Sequence, residues 1–177
     1  MTALSLRPTR PRRGGIAFEM ILVLVVLLVV TIGIVQFGVF LANAQQVALA
    51  ARVGALAASQ TADLPVTDGP LPQEIISAVE HQLASSCIQW CTIRLEHDIH
   101  PLGQQVQVVK STDPDCECLT KEHLASPPPR GYVRVTVCVP LSQVLPEQLS
   151  LFGASIYGEH KTYEHSAVFR YELEMPP

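Results

Sequence analysis

A chain of 177 residues with 48% hydrophobic and only 16% charged side chains is more apolar than an ordinary soluble domain, and the excess is concentrated between Ile16 and Ala58. Of the 12 Lys and Arg, Arg7, Arg10, Arg12 and Arg13 stand in a head with no acid; of the 16 Asp and Glu, all but Glu19 follow residue 42. A basic head and an acidic body are what the two sides of one membrane select, and the acidic body excludes a nucleic-acid-binding face.

Residues 1–14 form a polar leader rich in Arg, Pro and Thr. From Ile16 to Ala42 the only strongly polar side chains are Glu19 and Gln36. As a helix these residues run to about 40 Å, more than the ~30 Å of a bilayer core. Val, Leu and Ile lie on every side, so no polar stripe marks it as an amphipathic core helix. Ala42-Asn43-Ala44 fits an A-x-A cleavage site, but the apolar run is longer than a secretory h-region. The residues beyond it are rich in Ala and Leu, the best helix formers. One continuous helix is therefore predicted from about Ile16 to about Ser59. Ala50, Gly54 and Ala58 recur at four-residue steps and offer a smooth face to another helix, whereas Gly33 and Gly38 are ambiguous.

A linker with Pro and Gly follows, over residues 61–72. Gln73–Ser85 reads as a second helix, with Ile75, Ile76, Val79 and Leu83 at helical spacing. The period then changes to two in Thr92–Glu96, Gln105–Val108 and Gly131–Val137, and His165–Leu173 reads as a last strand. Asp113-Pro114-Asp115 and the prolines between Ser126 and Gly131 are turn signals. The expected fold is α+β: a long N-terminal transmembrane helix, then a small domain at 73–177 with one helix on a three- or four-stranded antiparallel sheet.

Cys87, Cys91, Cys116, Cys118 and Cys138 all lie beyond the anchor, a placement that suits an oxidising compartment. All five are disulfide candidates, and the odd count leaves at least one thiol free or paired between chains. The expected bridge joins the Cys87/Cys91 region to Cys116/Cys118, with connectivity open. The spacings lack the paired form of a zinc site, so no metal or other cofactor is expected. The six histidines read as surface residues, and Trp90 and Tyr132 as partly buried aromatics. No nucleophile–base signature marks an enzyme, so no catalytic residue is assigned.

The run Arg13-Gly14-Gly15-Ile16-Ala17-Phe18-Glu19-Met20, followed by an apolar helix, resembles the processing site of type IV pilin-like precursors. It is most similar to the TadE-like minor pseudopilins of the tight-adherence (Flp) pilus family. That resemblance implies cleavage by a prepilin peptidase between Gly14 and Gly15, which makes Glu19 the fifth residue of the mature chain. It further implies that Glu19 acts in assembly, that the partners are the membrane and other pilin or pseudopilin subunits, and that the role lies in pilus assembly, secretion or adhesion. The implied location is the inner membrane, single-pass, with the N-terminus cytoplasmic and the domain extracytoplasmic. The alternative reading is a membrane-anchored extracytoplasmic binding domain that never enters a filament.

Overall fold

The computed structural model describes residues 13–62, 64–65, 69–99, 106–112, 116, 118, 128–145 and 161–172, with side chains from residue 17 onward. The leader through Arg12, the turn Asp113–Asp115, His100, His123 and His160 lie outside the described residues. Helix α1 spans Arg13–Gln60 and α2 spans Gln73–Ala84. Strands β1 (Thr92–His97), β2 (Val106–Ser111) and β3 (Tyr132–Pro140) follow, then the short α3 (Leu141–Val144) and β4 (Thr162–Arg170). The chain divides into two compact units, at residues 1–35 and 36–177.

Within the first unit, the described residues form helix alone. From Phe18 to Val35 the large side chains are mostly open, for example Phe18, Leu24 and Ile34. The Thr31 hydroxyl donates to the Leu27 carbonyl at 2.8 Å, so even this polar group is satisfied inside the helix. Among the described residues, one helix is long and apolar enough to cross a membrane, Ala17–Gln60.

The second unit is built on a four-stranded antiparallel sheet in the order β2-β1-β3-β4. On one face Ile93 and Leu95 stand beside Val137 and Val135, flanked by Val133 and Val139, and all are sealed from solvent. α2 packs its Ile75, Ile76, Val79 and Leu83 stripe into the same core, as the helical spacing predicts. Residues 47–58 of α1 are also core residues: Val47, Ala50, Ala51, Ala55 and Ala58 are fully buried. The expected division placed this stretch before a linker at residues 61–72 and the domain after it. Its buried residues share one core with α2 and the sheet, and Leu64 and Leu71 of the linker are buried too.

The small-residue face explains why. A Cβ built at Gly54 would stand 2.8 Å from Val79 Cγ2 and 3.2 Å from Val135 Cγ1, so α2 and β3 occupy the space that a side chain would need. The helix that uses the Ala50/Gly54/Ala58 face is therefore the chain's own α2. Further ties hold residues 36–60 in place. Phe40 meets Tyr163 edge-on at 6.0 Å. Asn43 Nδ2 donates to the Gln143 and Val144 carbonyls at the end of α3, and Gln82 Nε2 donates to Gln46 Oε1 at 3.0 Å.

Strand boundaries differ modestly from the sequence reading. β3 runs on through Pro140 and pairs with Thr162, so β4 begins three residues before His165. Gly131 is not in the strand; its φ of 79° makes the turn ahead of β3. One histidine departs from expectation: His97 is buried and its Nε2 donates to the Pro65 carbonyl at 3.0 Å. On the other face of the sheet, alternation alone leaves Thr92, Arg94, Arg134 and Thr136 for solvent, yet all four are buried.

Candidate functional site

Among the described residues, three places carry chemistry. The first is the start of α1. Gly14 and Gly15 lie in its first turn, and Glu19 follows one turn later with an exposed side chain between Phe18 and Met20, both also exposed. Glu19 is the one carboxylate of the apolar stretch. At bilayer depth a carboxylate costs roughly 2.5–3.5 kcal/mol on insertion scales, so a partner or an interfacial position must offset it.

The second is the cysteine cluster. Cys91 stands at disulfide distance from Cys116 and Cys118 from Cys138, with Cα–Cα separations of 6.0 Å in both pairs. Thr92 Oγ1 donates to the Cys116 carbonyl at 3.1 Å, and Thr112 N donates to the Cys91 carbonyl at 2.8 Å, which fixes the first pair beside β1. Cys87 is the correction to the list of disulfide candidates: it is free and exposed. Its position accounts for that. It follows α2 with a φ of 54°, and Ile88 N donates back to the Leu83 carbonyl, closing the helix end. Four cysteines find partners around β1 and β3, and the fifth is held at a helix terminus. Cys118, Cys138 and Glu164 offer ligand atoms within 4.8 Å of one another, but both sulfurs belong to a disulfide pair and present no thiolate to a cation.

Beside Cys87 lies a groove of about 630 Å³, lined by Glu80, Ala84, Ile88, Trp90 and Thr112 among others. Trp90 is half-buried, as expected, and its Nε1–H donates to Glu80 Oε1 at 3.1 Å.

The third place escaped the sequence reading. On the outer sheet face, away from α2, Arg134 pairs with Glu96 at 3.2 Å. Arg94 lies next to this pair and opposite Thr136, with its Nε buried and unpartnered. The only signal in the sequence was an Arg and a Thr on the polar side of alternating strands, which ordinarily means a solvated face. On the inner face His165 is half-buried near Arg52, and its pKa is lowered, first by desolvation and then by the guanidinium charge.

Fold and site together define a class: an α+β domain whose first core helix continues from a segment apolar enough to anchor it in a membrane. One family model narrows the comparison for the N-terminal stretch. Residues 14–56 match the model of the TadE-like protein family, and the chain is similar to that family over this stretch, which holds Gly14, Gly15, Glu19, Ala50 and Gly54. Among curated proteins and solved structures, none matches the chain significantly.

Proposed function

We propose that this chain is a minor pseudopilin of a Tad/Flp-type pilus or secretion apparatus, with a structural role in assembly and adhesion in place of a catalytic one. The match of residues 14–56 to the TadE-like family carries the reading. In this account the basic leader stays in the cytoplasm, because Arg7, Arg10, Arg12 and Arg13 orient the helix in the inner membrane. The domain stands outside the cytoplasm, where its cysteine pairs are oxidised. A prepilin peptidase cuts after Gly14. The two glycines support this, since a Gly pair in a first helical turn unwinds at little cost and presents no side chain to obstruct the enzyme.

Cleavage creates an amine at Gly15, four residues from Glu19. The opposite charges of amine and carboxylate offset part of the insertion cost of each. When the pair forms between subunits, it also fixes the axial register of neighbouring helices. The open apolar surface of residues 18–35 supports a second role, as the face that other pilin helices cover.

The test is Glu19→Gln in cells, with membrane level, leader processing and co-purification with other pilins measured together. Normal membrane level with lost co-purification is expected. Full co-purification would mean that Glu19 only reaches into the headgroups, and would favour the plain membrane-anchored binding domain, for which the groove beside Trp90 offers a surface.

A further inference from the structure

Arg94 sits in the centre of β1 on the outer sheet face, and the residue is only 8% exposed. A guanidinium cannot shed its charge in a protein, so burial must be matched by an acceptor. None of the described residues supplies one: Nε of Arg94 has no hydrogen-bond partner, and the nearby carboxylate of Glu96 is engaged by Arg134 at 3.2 Å. Directly across the β1–β3 ladder from Arg94 is Thr136, 1% exposed, whose hydroxyl is also unpartnered. Arg134 is the diagonal neighbour of Arg94 on the same face, a placement that puts the two backbones' Cα atoms about 7–8 Å apart. Arg94 and Arg134 bring two guanidiniums to this face, with a spare N–H and a spare hydroxyl side by side in a buried setting; the carboxylates on the same face are Glu96, bonded to Arg134, and Glu164, which stands opposite Cys138 and has a buried oxygen without a partner.

We propose that Arg94 and Thr136, with Arg134 beside them, form a binding subsite for a small oxyanion. The Arg94 fork supplies the charge and paired donors that a carboxylate or phosphate accepts. The Thr136 hydroxyl adds a third donor from the neighbouring strand. Arg134 contributes field while it stays bonded to Glu96. A carboxylate and a phosphate share this chemistry, and the experiment below separates them.

The test uses the full chain in detergent and reads its thermal midpoint in chloride, acetate or phosphate at matched ionic strength. Wild type should gain a saturable rise of a few degrees in at least one oxyanion over chloride, because a ligand that binds only the folded state stabilises it. A rise in phosphate alone assigns a tetrahedral ligand, and a rise in acetate alone a carboxylate. Arg94→Met should abolish the rise. In chloride its midpoint should equal or exceed that of wild type, because the substitution removes an unmatched buried charge. Thr136→Val should behave in the same way, and Arg94→Lys should shrink the rise by losing the fork. The proposal is overturned if no oxyanion raises the wild-type midpoint, if Arg94→Met keeps the rise, or if Arg94→Met melts below wild type in chloride, since that loss would mean that Arg94 already has its acceptor inside the fold.

Discussion

Gly54→Ala isolates the claim that the second half of α1 is core. A Cβ at this position meets Val79 Cγ2 at 2.8 Å and Val135 Cγ1 at 3.2 Å, with Ile75 Cγ2 at 3.9 Å. Carbon atoms in ordinary contact stand about 3.5–4.0 Å apart, so one methyl must retreat by roughly 0.7 Å. Both close neighbours are valines, whose branched Cβ leaves few rotamers to escape into. Overpacking of this kind costs about 1–3 kcal/mol. Replacing a helical Gly by Ala returns about 1 kcal/mol through helix propensity. The net expectation is a loss of about 1 kcal/mol, or a midpoint about 3 °C lower for a unit of this size. Gly54→Leu should lose considerably more. The control is Gly33→Ala, where a Cβ meets nothing within 4 Å. The assay is thermal unfolding in detergent, followed by the fluorescence of the single tryptophan, Trp90. A Gly54→Ala chain as stable as wild type or more so, with Gly54→Leu tolerated, would refute the packing argument.

Three further outcomes follow from the geometry. Cys87→Gly should stabilise the domain by about 1 kcal/mol in denaturant titration, because Gly takes the left-handed backbone at φ 54° without the Cβ clash; a loss of stability would show that the thiol has a role in the fold. Titration of the native, unreduced protein should find one reactive thiol, at Cys87, and unfolding without reductant should add none. The lowered pKa of His165 means that the unfolded chain takes up a proton first as pH falls. Its contribution should be fully present above the ordinary histidine pKa of about 6.5 and fade as pH drops from there to the folded value. Arg52→Gln should weaken that acid sensitivity, and an unchanged pH profile would remove the Arg52 contribution.

What the sequence made legible was what periodicity reports. The 3.6-residue stripe of Ile75, Ile76, Val79 and Leu83 and the alternation of Val133, Val135 and Val137 mark faces that must be buried, and both are. Residues 47–58 were harder. An Ala-rich helix is mildly apolar all round, so no stripe announces which side packs or onto what, and the smooth face of Ala50, Gly54 and Ala58 reads equally as a surface for another chain. Its true partners, Val79 and Val135, lie far along the chain. Cysteine pairing is likewise a matter of which strands become neighbours: Cys138 and Cys118 meet only once β3 lies beside β1. Arg94 was illegible for the opposite reason. Its alternation is that of a solvated residue, and burial of the outer face is a tertiary fact with no local signature. The proposed processing and assembly residues stand apart from all of these. Gly14, Gly15 and Glu19 could be nominated from sequence because that proposal rests on spacing along one helix.

That spacing makes the central claim directly measurable. The protein should be extracted from membranes of cells that hold a prepilin peptidase, and its N-terminus determined by mass and sequencing. The expected chain begins at Gly15, with Glu19 as its fifth residue. A chain that keeps the leader and begins at Met1 would contradict the pilin reading and leave a plain membrane anchor; a chain that begins at Gln45 would contradict the anchor itself.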